Sequence, residues 1–312
     1  MEAEGATPEQ VNELEKILAK RISSALEGGE FTIRKAGQTI EVDIMQLRGM
    51  PDMVMLLQSR GETGIHEVYD NLEFFPVLEQ VNEKMKPVPG ELLAEASASA
   101  PAAAATSHGG AASHAGEALH LRPVLQYLRP CTSTDDAGAI KLKTGPVTGY
   151  VNIPDTADFY HFSKSEEVQF LLPENVHLAL GSRPVNSGDA AFEVFAVKKY
   201  PDSNAAFNLT GMHVKEVAVK QRKRKPVELQ IEFTPEGQRK MDELAQRNSG
   251  KNIGVLLDGK VISYPVIKQS SGNTSLSLTG HWTLSEASAM AALFPSEPLP
   301  LPVKIISLKK YQ

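Results

Sequence analysis

The chain has 312 residues, 41% hydrophobic and 22% charged, an ordinary balance for a globular protein long enough for two domains. A formal net charge of -6 leaves no overall basic field to attract nucleic acid, and the single cysteine, Cys131, excludes an internal disulfide or a multi-cysteine zinc site. No apolar run approaches the roughly 20 residues needed to span a bilayer. The start, Met1-Glu2-Ala3-Glu4-Gly5, is acidic and polar. It has neither the basic start nor the apolar core of a signal peptide, which taken alone predicts a cytoplasmic chain.

Thr7-Pro8-Glu9-Gln10 opens the first predicted helix with a cap, a proline in the first turn and a glutamine placed for a capping box. Val11, Leu14, Leu18, Ile22 and Ala25 fall on one face, and Gly28-Gly29 end it. Residues 31–34 and 39–45 read as strands, with Ile40, Val42 and Ile44 alternating and Ala36-Gly37-Gln38 as the turn. A short helix at 51–60, a strand at 64–69 and a helix at 74–85 follow. Leu78, Val81 and Met85 form the stripe of that last helix, and Pro87 to Gly90 break it.

Residues 96–116 are rich in Ala, Ser, Gly and His, with no aromatics and no periodicity, so 91–117 is expected to be a flexible linker. His108, His114 and His120 fall in or just after it. Imidazoles are good metal ligands, but this spacing matches no familiar zinc pattern, and a solvated loop is the simpler reading. A helix is expected at 119–128 on Leu121, Leu125 and Leu128, then a turn-rich stretch at 130–149. Asp135-Asp136 invite an acid–base reading, yet adjacent loop carboxylates usually cap turns or stay solvated.

Pro154-Asp155-Thr156 opens a helical stretch carrying Phe159, Tyr160, Phe162, Val168 and Phe170, read as domain core in preference to a binding surface. Strands are expected at 176–180 and 191–198, and again at 214–219. Lys220-Gln221-Arg222-Lys223-Arg224-Lys225 then places five basic residues in six, without interleaved aromatics. A solvated hairpin loop is the plain reading. The sharper one makes Lys220, Arg222, Lys223, Arg224 and Lys225 a contact for anionic lipid headgroups or acidic stretches of another chain.

Residues 227–308 organise the rest. Two apolar runs, 255–257 and 261–263, flank Asp258-Gly259, a strong signal for a tight type I′ hairpin. Pro265 is expected to end regular pairing because it has no N–H. Thr234-Pro235-Glu236 opens one flanking helix, carrying Met241, Leu244 and Ala245. Thr283-Leu284-Ser285-Glu286 is a capping box opening another, carrying Ala287, Met290, Ala291 and Phe294. An extra strand at 274–279 and a proline-led strand from Leu299 complete an α+β unit with helices on one face of a small sheet.

These pieces resemble the first periplasmic domain of SecD, or of the fused SecDF, an accessory subunit of bacterial protein export. The matching residues are Phe207-Asn208-Leu209-Thr210-Gly211, then Leu229-Gln230-Ile231-Glu232-Phe233 with Glu236-Gly237, and Asn252-Ile253-Gly254. They continue with Leu257-Asp258-Gly259-Lys260-Val261-Ile262-Ser263 and Pro265, then Thr279-Gly280 with Thr283, Glu286 and Ala287, and end with Leu299-Pro300-Leu301-Pro302-Val303. Residues 159–170, Leu172-Pro173, 191–200 and Glu73-Phe74-Phe75 look like the fused form found in Bacteroidetes-type bacteria. The N-terminal match is looser, because the family's Pro-Gly after the second strand stands here as Arg48-Gly49-Met50-Pro51.

The resemblance implies a ferredoxin-like base at 7–90, completed by 299–308, with an inserted α+β head at 118–298. It implies no enzyme activity and no cofactor, in keeping with the absence of dinucleotide, phosphate-loop, zinc-protease and nucleophile-elbow motifs. The implied partners are an unfolded preprotein, the export channel with its accessory subunits, and the membrane through segments absent from this chain. The implied place is the periplasmic side of the inner membrane, as a domain of a membrane protein or a mature exported chain. Tyr264, Val266 and Trp282 are candidate contacts for an unfolded client, although for Trp282 anchoring the helix after it is the favoured reading. The reading from another class is a structural module that docks onto a cell-envelope complex and handles no clients.

Overall fold

The computed structural model describes residues 1–3, 5–26, 29–45, 51–85, 124–187, 189–199, 208–267 and 276–307. The expected linker, all three of its histidines and the Arg48-Gly49-Met50 departure lie outside them.

The N-terminal part runs α1 (Pro8–Ala25), β1 (Phe31–Ala36), β2 (Thr39–Ile44), α2 (Met53–Gln58), β3 (Thr63–Glu67) and α3 (Asn71–Lys84). The middle runs β4 (Leu128–Pro130), β5 (Thr132–Thr134), β6 (Ile140–Leu142), β7 (Val147–Asn152), α4 (Thr156–Lys164), α5 (Glu166–Leu171), β8 (Val176–Ser187) and β9 (Asp189–Lys198). The C-terminal part runs β10 (Leu209–Thr210), β11 (Val214–Lys220), β12 (Glu228–Phe233), α6 (Pro235–Arg247), β13 (Ile253–Leu257), β14 (Lys260–Ser263), β15 (Leu276–Thr279) and α7 (Leu284–Leu293). The fold is α+β, as expected.

The largest sheet has eight strands in the order β10-β3-β13-β14-β8-β9-β7-β4. It is two antiparallel half-sheets joined where β14 meets β8 in parallel, Val261 opposite Gly181. β13 is buried along its whole length, as a strand covered on both faces must be. The Asp258-Gly259 hairpin forms between β13 and β14. Its flanking strands do not share that sheet: β12 pairs with β11 and β15 in a separate three-stranded sheet. The expected single small sheet is therefore two, with the hairpin delivered to the larger one.

Three further expectations change. Within 119–128, the described part is a single 3-10 turn, Val124–Gln126, followed by β4, because Tyr127 and Leu128 turn into the core. The turn-rich stretch holds the β5–β6 hairpin, whose tip is tied by Asp135: its Oδ1 accepts from the backbone N–H groups of Ala137 (3.0 Å) and Ala139 (2.9 Å). Residues 299–307 form no strand. Pro300 and Pro302 have no N–H to give, so pairing is confined to Lys304, which exchanges two backbone bonds with Glu2.

The buried residues form three clusters. The first unites α1, α2 and β3 with β10 to β15, α6, α7, Leu299 and Val303. The second unites α3 with Val124, Leu128, Val151, α4, β8 and β9. The third, Val68, Ala179, Phe195, Val197, Leu256 and Val261, fills the junction of the two half-sheets. β1 and β2 form their own ribbon, which packs Ile40 into the first cluster and is bridged through Glu2 to Lys304.

Helix ends follow their sequence signals. Thr7 with Gln10 and Thr283 with Glu286 both complete reciprocal capping boxes. Thr283→Ala should cost about 1 kcal/mol, read as a shift in the denaturant midpoint, because it strips the first turn of α7 of its side-chain acceptor.

Candidate functional site

Asp258 and Gly259 both adopt positive φ, 51° and 76°, as the tight turn requires. The Asp258 carboxylate does more than turn the chain. Its Oδ2 accepts from Ser59 Oγ (2.6 Å) and the Arg60 N–H (3.1 Å), and its Oδ1 from the Glu62 N–H (2.9 Å). The hairpin tip is thereby pinned to the loop before β3.

At the other end of β14 lies Tyr264. The regular strand ends at Ser263, before Pro265, as expected, but backbone bonding continues past the proline. The proline carbonyl accepts from the Ile253 N–H at 3.0 Å, Val266 bridges Asn252, and the Ile267 N–H donates to the Lys251 carbonyl at 2.9 Å. Proline has lost its donor but keeps its acceptor, so the ladder skips one bond and resumes. Asn252 Nδ2 adds a bond to the Tyr264 carbonyl at 2.7 Å.

The Tyr264 ring tilts onto Phe195 of β9, with centroids 5.2 Å apart, and its hydroxyl donates to Glu193 Oε1 at 3.2 Å. Glu193 and Phe195 are two residues apart on one strand and so share a face. Burial pushes the Tyr264 hydroxyl up to about 12, helped by the Glu193 charge and hydrogen bond. Burial also pushes the Glu193 carboxyl up, against the Tyr264 hydrogen bond and the charge of Lys143. Opposite Glu193 on β7 stands Tyr150, raised by burial and by Cys131, whose Sγ lies 3.6 Å from its hydroxyl. Cys131 itself is buried. The result is a rigid aromatic and polar floor beneath Tyr264. Among the described residues no group of His, Cys, Asp and Glu is placed to hold a metal ion.

The sequence-predicted contacts separate. Tyr264 and Val266 are neighbours on the surface, 37% and 53% exposed. Trp282 does not join them: only 7% exposed, it packs in the first core above Gly280 and anchors the start of α7. Lys220, Arg222, Lys223, Arg224 and Lys225 sit together on the exposed β11–β12 hairpin loop, with Arg224 at φ 61°. Lys220 is engaged by Gln230 across the ladder.

The aromatic stretch at 159–170 splits in a way its sequence reading missed. Phe159, Phe162 and Val168 are core, whereas Tyr160 and Phe170 are 59% and 89% exposed. The signal was Ser165: it caps a new helix, accepting from the Val168 N–H at 3.3 Å, and so resets the helical phase.

The family model of the SecDF P1 head subdomain matches residues 195–301. Residues 195–301 thus resemble a SecDF P1 head subdomain. Among curated relatives, it is 31% identical to the protein translocase subunit SecD of Rhodothermus marinus over 52% of this chain and 26% of that one. It is 34% identical to the SecD of Dictyoglomus turgidum over 36% of this chain and 28% of that one. With the SecDF of Thermus thermophilus it shares 34% identity over 26% of this chain and 11% of that one. The chain thus spans about a quarter of the length of the first two relatives.

Among solved structures, SecDF in a super-membrane-facing form aligns with 98% of this chain and 29% of its own, at 16% identity and a TM-score of 0.46. A structure of SecDF described as a membrane component that enhances protein export aligns with 99% of this chain and 98% of its own, at 17% identity and a TM-score of 0.42. Tyr264 and Val266 lie inside the stretch similar to the P1 head model, while Glu193 stands just before it. Among the described residues no helix is long and apolar enough to cross a membrane.

Proposed function

We propose that this P1 head holds an unfolded segment of a preprotein as it emerges from the export channel on the periplasmic side of the inner membrane, without enzymatic chemistry. The carrying observation is the pair Tyr264 and Val266, exposed on a matched P1 head yet fixed in place by Asn252, Phe195 and Glu193. An unfolded client offers apolar side chains and unpaired backbone groups. A rigid aromatic beside an exposed aliphatic side chain takes up the former without reading sequence, and it loses little entropy in doing so. The cationic loop at 220–225 suits acidic stretches of a client or anionic headgroups.

The test is equilibrium binding of a permanently unfolded, carboxymethylated polypeptide to the isolated chain. Saturable binding is expected, weakened about tenfold by Tyr264→Ala combined with Val266→Asp, the scale of losing an interface anchor. Absence of saturable binding, with selective recovery of one folded envelope partner instead, would make the chain a docking module.

A further inference from the structure

The junction of the two half-sheets carries a cluster that client binding does not use. Val197 pairs with His177 and bridges Val68, and all three border or belong to the third core. Strand alternation puts His66 on the face of Val68, His177 on that of Ala179, and Lys199 on that of Val197. Lys164, the last residue of α4, brings its Nζ to 3.4 and 3.3 Å of the His177 Nδ1 and Nε2. His66 fits because Gly64 leaves it room: a Cβ there would stand 2.3 Å from its Nε2. Its cross-strand neighbour, Gly254, also lacks a side chain.

One acid, Glu67, is engaged on the other face of β3. It takes Lys198 Nζ at 3.4 Å and Arg247 Nε at 3.1 Å. Lys198 also lies 4.6 Å over the Tyr69 ring. One carboxylate is thereby balanced by two cations. Across the strand, the ammonium charges of Lys199 and then Lys164 act on His177, joined by His66 once it is protonated. Lys199 likewise acts on His66 and Lys164. Burial, then these cations, hold both imidazoles down to about 4, so each is neutral at neutral pH.

We propose that His66, His177, Lys164 and Lys199 form a binding site for a tetrahedral, phosphate-type oxyanion at this junction. The two ammonium groups donate as they stand. Neutral His177 has one N–H to give, whereas the His66 ring already hydrogen-bonds the Lys198 backbone and gains a free N–H by taking up a proton when a dianion arrives. Binding therefore strengthens as pH falls through the histidine range, because the anion replaces cation–cation repulsion with charge-assisted hydrogen bonds. The anion is either a free ion or the headgroup of a phosphomonoester lipid, which present the same oxygens.

Titration of the full chain with sulfate, against chloride at equal ionic strength, tests this by calorimetry and imidazole NMR. Sulfate keeps its double charge while histidine titrates, so any pH dependence belongs to the protein. The His66 and His177 titration midpoints should rise by about one unit or more on saturation. Lys164→Gln and Lys199→Gln, both at exposed positions, should each weaken binding about tenfold. Phosphate with vesicles of phosphatidic acid assigns the source: co-sedimentation lost in the double lysine variant means a headgroup, and phosphate binding without co-sedimentation means a free ion. Sulfate behaving as chloride does, or binding unchanged in the double variant, would overturn the site.

Discussion

Arg21→Met is expected to destabilise the chain by about 3 kcal/mol or more, a loss set by carbonyls left without donors in the core. Arg21 lies within the apolar face of α1 and is fully buried. Its Nε donates to Ser296 Oγ at 3.0 Å, its Nη1 to the Ser59 carbonyl at 2.7 Å, and its Nη2 to the carbonyls of Arg60 at 2.7 Å and Glu297 at 2.9 Å. One guanidinium thus ties α1 to the end of α2 and to the chain after α7. Burial lowers its pKa to about 10 while the Asp258 charge opposes, so it is charged at every working pH. Asp258 reaches the same loop from the hairpin tip, through Ser59, Arg60 and Glu62. Gly61 is part of the arrangement: at φ 76°, a Cβ there would lie 2.2 Å from the Arg21 Nη2. Urea unfolding is the measurement. The neighbouring Lys20→Met is the control, since its 3.9 Å pair with Glu297 is exposed and should contribute well under ~1 kcal/mol. Equal midpoints for the two variants would contradict this account of Arg21.

The second large effect is loss of stability in acid. His66 and His177 are held at about 4 in the folded chain against 6.5 for an ordinary histidine, burial being the first cause. Between those values the unfolded chain binds protons that the folded chain refuses, so stability is full above pH 6.5 and falls as pH drops toward 4. For His66 alone the fall is about 3 kcal/mol over that window, with a smaller share from the less buried His177. Glu67 adds to it at lower pH. Burial raises its carboxyl, but hydrogen bonds from Arg247 and Asn248 and the charges of Lys198 and Arg247 outweigh that and hold it below the ordinary value. Its contribution is lost as pH falls through that lowered value. Thermal unfolding from pH 7.5 to 4.5 should show the decline, and His66→Gln with His177→Gln should flatten it. The same decline in the double variant would place its cause elsewhere.

Much of this architecture is legible in the sequence because its signals are local. Thr7 with Gln10, Thr234 with Pro235, Thr283 with Glu286, and Asp258-Gly259 each specify a cap or turn within four residues, and all form. What is not legible depends on distant partners. Nothing around residue 261 says that β14 will lie beside β8 while β12 and β15 pair elsewhere. Arg21 reads as an ordinary helical arginine until residues 59, 60, 296 and 297 surround it. The candidate site behaves alike. Tyr264 and Val266 could be singled out from the proline that follows the hairpin, but Glu193 and Phe195 beneath them are seventy residues away in sequence. Trp282 takes the anchoring role favoured from sequence, and the small residue Gly280 lets the indole fold inward.

Photo-crosslinking during export tests the central claim most directly. A photoreactive residue at Val266 is compared, in native membranes with a stalled preprotein, against one at Ile140, which is 75% exposed and lies outside the matched P1 head. The account predicts preprotein adducts at position 266 that disappear when export is not under way, and few at 140. Equal adducts at both positions, or a folded partner alone at 266, would contradict it.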